Sequence, residues 1–413
     1  MSISIGMSPG RRVASLLLES VLEQHRAMEE ALDAIPSNIE GRDKAAGHRI
    51  AAAVLRRMGS LDAVMEPWLR RAPPKPAQRA LRIGAAELLL LGTPPHAAVS
   101  AAVSLAPKPL AGLVNAVLRR VAEAGAAALE ELDARLDTPA WLWTSWHAAH
   151  GAAVRAIAAA HRLEAPLDLS LKPGAAAPEG AVMLPNGTAR LPAGTRITEL
   201  PGFAEGDFWA QDAAAALPAK LLNVRPGERV ADLCAAPGGK TAQLAALGAE
   251  VVAVERDSGR MGRLRENMVR LKLAPELVNA DVLKWRPDGA FDAILLDAPC
   301  TATGTIRRHP DLPYLKQSKD VAKLAGQQRQ LLEAAARLLG PGGRLVFATC
   351  SLQAEEGEAH LAQLPEGLRI DPIRDEEVPE IGATPRGTLR TRPDLWSDRG
   401  GMDGFFAVRL VKG

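Results

Sequence analysis

Between residues 11 and 137, apolar positions recur every three or four residues. Val13, Leu16, Leu17, Val21 and Leu22 form one such stripe, and Ile50, Val54, Met58 and Leu61 form another. This is the spacing that puts side chains on one face of a helix. Interruptions at 35–41, 72–76 and 92–95 carry the Pro, Gly or Asn of short connections. The pattern predicts an all-α bundle over residues 1–138. Residues 139–222 differ: a tryptophan-rich opening (Trp141, Trp143, Trp146) and an alanine-rich helix give way to strand-like pieces at 167–171, 181–184 and 195–200. Separated by Pro and Gly, these predict a small α+β subdomain. From residue 223 to 413 short apolar runs at 230–233, 251–255, 277–279, 293–297 and 344–349 alternate with helical segments. That rhythm predicts a parallel, doubly wound α/β sheet.

Composition changes this picture in three ways. Lys+Arg 50 against Asp+Glu 48 leaves a net charge of only +2, so any affinity for nucleic acid must come from a local patch. Residues 42–82 hold such a concentration, ten basic side chains against three acidic ones. No stretch approaches the ~20 apolar residues of a membrane span, and residues 1–10 lack the apolar core of a secretory leader, which predicts a soluble, cytoplasmic chain. Cys234, Cys300 and Cys350 are too few and too widely spaced for a disulfide framework or a zinc site, so no metal is expected.

The chemistry is concentrated where the predicted strands end. Asp232, Leu233 and Cys234 run into Ala235, Ala236, Pro237, Gly238, Gly239, Lys240 and Thr241, at the place where a doubly wound sheet binds its ligand. The turn matches neither of the phosphate-cradling glycine patterns. Glu255, 23 positions after Asp232, closes the second strand, from which a carboxylate reaches ribose hydroxyls. A nucleoside without phosphates suits both features, and S-adenosylmethionine is the common cofactor of that kind. Asp281, after the third strand, is a candidate acceptor for an adenine amino group. Asp297, Ala298, Pro299, Cys300 end the fourth strand and Thr349, Cys350, Ser351 the fifth. One free cysteine is usually an inert core residue; two at the same sheet edge suggest chemistry.

Taken together, the segments 232–241, 297–304 and 349–351 resemble the Sun/Fmu family of RNA (cytosine-5)-methyltransferases, especially its bacterial ribosomal RNA members (RsmB-like). Gly202, Phe203, Gln211, Asp212 and the segments 338–343 and 403–406 extend the match. Residues 114–120 are similar to a NusB-like RNA-binding domain found in the same proteins. The resemblance implies a Rossmann-like domain that binds S-adenosylmethionine through Cys234 to Lys240, Glu255, Asp281 and Asp297. It also implies Cys350 as nucleophile at cytosine carbon 6, Cys300 in release, Asp297 at the base edge and Lys240 beside it. Geometry read from the sequence leaves open which cysteine attacks. The implied partner is RNA, most directly 16S ribosomal RNA, bound by a monomer away from any membrane. Residues 42–82 and Arg307, Arg308, Lys316, Lys319 and Lys323 are the expected phosphate contacts. Two other classes stay in play: a small-molecule or protein methyltransferase, which has no need for two strand-end cysteines, and a non-catalytic RNA-binding assembly factor.

Overall fold

A computed structural model describes residues 8–413; most of the stretch read as lacking a leader lies outside them. The chain divides into two compact units, one of residues 1–163 with 306–317 and one of 164–305 with 318–413.

The first unit is helical. Helices Pro9–Gln24, Gly41–Arg56, Lys75–Leu89, Pro95–Leu105 and Ala111–Ala124 turn their apolar stripes inward. Leu17, Leu18, Val54, Leu81, Val114 and Leu118 are almost wholly buried there. Gly47 faces Val13, where an added Cβ would lie 2.5 Å from the valine side chain, so the first two long helices pack at a distance only glycine allows. Arg57, at φ −123°, separates Gly41–Arg56 from Met58–Met65, a break that the continuous apolar stripe concealed.

This unit extends to residue 163, beyond the boundary near 138 expected from the sequence. Asp137 explains why. Its buried carboxylate accepts from Ser60 Oγ at 2.6 Å and from Arg162 Nε at 2.7 Å, with Arg57 Nε at 3.3 Å. Arg162 also donates to the carbonyls of Leu132 and Asp133, which ties helices Ala140–His150 and Val154–His161 to the bundle. Residues 306–317 join the same unit: Tyr314 Oη donates to Leu55 O and Asp311 accepts from Met28 N.

The second unit holds two sheets. The smaller is antiparallel, of strands β1 (Leu167–Leu171), β2 (Val182–Met183), β3 (Ala189–Leu191) and β4 (Phe208–Ala210), in the order β2-β3-β1-β4. The predicted strand over 195–200 is instead a 3₁₀ turn at Ile197–Glu199. Thr195, Glu199 and Leu200 spend their N–H groups on carbonyls three residues back, and Ile197 and Leu200, three apart, both pack on the small core beneath. β3 and β4 escaped prediction because each is three residues long and β3 centres on Arg190, a buried cation neutralised by Asp168 at 2.6 Å.

The larger sheet contains β5 (Arg229–Leu233), β6 (Glu250–Glu255), β7 (Glu276–Asn279), β8 (Phe291–Asp297), β9 (Leu339–Thr349), β10 (Leu368–Ile370), β11 (Leu389–Arg390) and β12 (Phe406–Lys412). Its order is β10-β12-β9-β8-β5-β6-β7, with β11 on β12. β5 to β9 run parallel, and β12 is antiparallel to β9. Apolar runs buried on both faces, such as Ile294 to Leu296 and Leu345 to Phe347, make parallel pairing the stable arrangement. The chain winds one way from β5 through β7 and the other way from β8 to β9, so the topological switch falls between β5 and β8.

Candidate active site

The carboxyl ends of β5, β6, β8 and β9 share one edge, since Leu233 pairs with Val254 and Leu296, and Asp297 with Ala348. Every site residue expected from the sequence sits on that edge or in a turn leaving it.

At the β5 end, Asp232 Oδ2 accepts from Thr241 Oγ1 at 2.6 Å. Its other oxygen is buried without a hydrogen-bond partner among the described residues. Burial raises the Asp232 pKa to about 7 against the pull of Thr241, with Asp297 adding to the rise. Cys234 follows in the left-handed region at φ 64°, and burial pushes its thiol up to about 12. A thiol held so far above the ordinary value is a weak nucleophile at neutral pH. Gly238, at φ 104°, must be glycine, and Gly239 opens helix Gly239–Ala246.

Glu255 is 2% exposed at the end of β6. Its Oε1 accepts from Asp257 N at 3.0 Å. Arg260 Nη1 lies 3.3 Å from Oε2, but no hydrogen bond is made to that atom. Asp281 takes up its own turn, accepting from Leu283 N at 3.0 Å. The two orphaned buried carboxylate oxygens, Asp232 Oδ1 and Glu255 Oε2, together with the glycine turn between their strands, fit a nucleoside cofactor that carries donors and no phosphate.

On the other side of the switch point, Lys240 Nζ donates to Asp297 Oδ2 at 2.7 Å and lies 5.2 Å from the centre of the Phe405 ring. Burial works to lower the lysine pKa, but Asp297, Cys350 and Asp232 outweigh it, and the pKa ends above the ordinary value. Cys300 and Cys350 come together, Sγ to Sγ 3.4 Å, without forming a disulfide. The hydrogen bond with Cys350, then burial, hold the Cys300 thiol well above the usual cysteine range.

The basic groups expected to hold RNA are only partly available. Within 42–82, Arg79 pairs with Glu19 and Glu23, Arg82 with Asp62, Arg57 with Asp137, and Arg42 with Glu40. Lys44 and Arg56 donate to the carbonyls of Ile35 and Arg307. Arg49, Arg70 and Arg71 stay exposed, with no ion pair among the described residues. Arg307 is 2% exposed, which removes it from the phosphate contacts. Phe405 lies in the 403–406 segment that extended the match, but its place over Lys240 had no sequence signal; Glu356, an acid buried behind the two cysteine turns, was passed over.

A parallel sheet with this glycine turn, buried strand-end carboxylate and lysine–aspartate pair has the make-up of an S-adenosylmethionine-dependent methyltransferase. Residues 219–411 match the family described as 16S rRNA methyltransferase RsmB/F, and residues 8–123 match the NusB family. The ribosomal RNA small subunit methyltransferase B of Salmonella arizonae is 34% identical across 97% of this chain and 98% of its own length. The chain therefore belongs to the RsmB/F family of 16S ribosomal RNA methyltransferases. Among solved structures, a methyltransferase homologue from Pyrococcus horikoshii (TM-score 0.54, 27% identity) aligns over 65% of this chain and 94% of its own. NSun6 from Pyrococcus horikoshii with SFG (TM-score 0.55, 21% identity) aligns over 66% and 98% and shares the fold. Among the described residues no helix is long and apolar enough to cross a membrane, and no group of side chains suits a metal ion.

Proposed function

We propose that the chain methylates carbon 5 of a cytosine in small-subunit ribosomal RNA through a covalent adduct on Cys350. The observation that carries this reading is the pair of free thiols 3.4 Å apart beside the Lys240–Asp297 pair. A methyltransferase acting on an oxygen or nitrogen nucleophile has no use for them.

Cytosine carbon 5 is a poor nucleophile until a thiolate adds at carbon 6. Lys240, bound to Asp297, puts a cation on the same strand-end edge as the two thiols. Asp297 faces the base edge and accepts from the ring nitrogen that gains a proton as the adduct forms, while Lys240 orients its other oxygen. S-adenosylmethionine supplies the electrophilic methyl group, held by Asp232, the 234–240 turn, Glu255 and Asp281. Water then takes the carbon 5 proton as the double bond reforms and Cys350 leaves as thiolate, with the Cys300 S–H donating to the departing sulfur, and the ring nitrogen returns its added proton to solvent. The target base must leave its stack to reach this edge.

The test incubates the full chain with labelled S-adenosylmethionine and unmethylated small-subunit RNA. Cys350→Ala is expected to abolish transfer, and Cys300→Ala to accumulate an RNA–protein adduct stable to denaturant. Normal methylation by Cys350→Ala would overturn the assignment.

A further inference from the structure

Both cysteines sit on turns that must hold two sulfur atoms in register, and one buried side chain joins those turns. Glu356 lies in the short helix Ala354–Glu356 after Cys350 and has no exposed surface. Its Oε1 accepts from Thr301 N at 2.9 Å and Gln328 Nε2 at 3.3 Å. Its Oε2 accepts from Thr301 Oγ1 and Ser351 Oγ, each at 2.5 Å. Thr301 directly follows Cys300, and Ser351 directly follows Cys350. The Glu356 carbonyl accepts from Thr349 Oγ1 at 2.8 Å, which fixes the residue before Cys350 as well. Gln328 extends the network, donating to Pro299 O just before Cys300 and meeting His360 Nε2 at 2.9 Å. One carboxylate thus grips the two cysteine turns from behind without touching either sulfur.

We infer that Glu356 is a positioning residue, whose four hydrogen bonds set the separation and aim of the Cys300 and Cys350 thiols so that both reach the same base. The inference rests on the cytosine-5 reading above. A buried carboxylate is costly unless fully hydrogen-bonded, so an apolar residue would serve better if the position only filled space. Hydrogen bonds to a charged acceptor are the strong ones, suited to locking turns whose own backbones are irregular.

The test compares Glu356→Ala, Glu356→Gln and Thr301→Val in the full chain. Glu356→Ala is expected to lower kcat about a hundredfold, the scale of a 1 Å misplacement, with KM for RNA and for S-adenosylmethionine within about threefold. Glu356→Gln is expected to restore much of the loss, because its amide oxygen can accept from Thr301 N while its NH₂ faces two rotatable hydroxyls. A geometric readout needs no turnover: phenylarsine oxide bridges only closely paired thiols, so capture by the native chain should be lost in Glu356→Ala and regained in Glu356→Gln. Should Glu356→Ala not fold, Thr301→Val removes one hydroxyl at nearly constant volume and is expected to lower kcat about tenfold at unchanged KM. Lowered melting temperature with kcat per folded molecule and arsenical capture both native would overturn the inference. If Cys300→Ala yields no RNA adduct while arsenical capture still follows Glu356, the cytosine-5 reading fails and the positioning role stands.

Discussion

The helical unit and the strand-end edge of the larger sheet use charge in opposite ways. Residues 42–82 carry ten basic side chains, yet many are held by acids the window does not include, such as Glu19, Glu23 and Asp137. The edge carries few charges, but Asp232, Lys240, Glu255 and Asp297 converge from three strands and one helix onto a single place. Charge counted along a helix therefore overstates what a ligand meets, because helices present residues to one another as readily as to solvent. Charge at the ends of parallel strands understates it, because the topology collects residues far apart in sequence.

The sharpest way to break that contrast is to remove one charge from the edge. Asp297→Ala is expected to lower kcat per folded molecule by about two to four orders of magnitude, the usual contribution of a positioned proton-handling group, and to lower the melting temperature as well, because it leaves the Lys240 ammonium unpaired. Methyl transfer under single-turnover conditions reads this. A loss below about tenfold would place Asp297 among structural partners of Lys240 and not at the base.

Burial separates the two regions a second time, through pH. His161 in the helical unit is 6% exposed, packs on Trp146 and has neither ring nitrogen hydrogen-bonded among the described residues. Burial, with Arg307 nearby, lowers its pKa to about 3. A base with a depressed folded pKa binds protons more weakly than the unfolded chain does, so its stability contribution is complete above about pH 6.5 and drains as pH falls toward about 3. By pH 4 the loss is about 3 kcal/mol. Asp232 has the opposite sign: its raised pKa favours the fold below about pH 4, and this contribution is lost as pH rises through about 7. Melting between pH 8 and 4 is expected to show steep acid loss in the native chain and a flatter profile in His161→Phe. Asp232→Asn should raise the melting temperature at pH 8 and not at pH 4. Parallel profiles for all three chains would mean that neither group is shielded from water.

These contrasts track what could be read from the chain. The five parallel strands and the cysteine-bearing turns were legible because each is a contiguous run with its own period or motif. The helical unit's end at 163 was not, since it depends on Asp137 meeting Ser60 and Arg162, positions 77 and 25 residues away. The strand expected at 195–200 failed because β-branched composition does not distinguish an extended segment from a turn whose N–H groups close on carbonyls three residues back. Glu356 was invisible for a related reason: an acid in a helical turn reads as a solvated residue until the fold brings Thr301 to it, 55 positions distant.

The smallest expected effect tests the charge argument within the helical unit itself. Arg79 is mostly buried between Glu19 and Glu23, so Arg79→Ala leaves two carboxylates facing each other and should cost about 1–3 kcal/mol of stability. Arg70 and Arg71 are exposed beside Trp68, itself 36% exposed. Replacing both with alanine should change stability by less than about 0.5 kcal/mol. If this corner meets RNA, the same double replacement weakens binding and reduces the salt dependence of log K by about 0.7 for each phosphate no longer neutralised. Filter binding at two or more salt concentrations, run beside thermal melting, separates the outcomes. A double variant with native affinity and an unchanged salt slope would remove this corner from the RNA surface and leave Arg49 as the exposed, unpaired arginine of the window to test next.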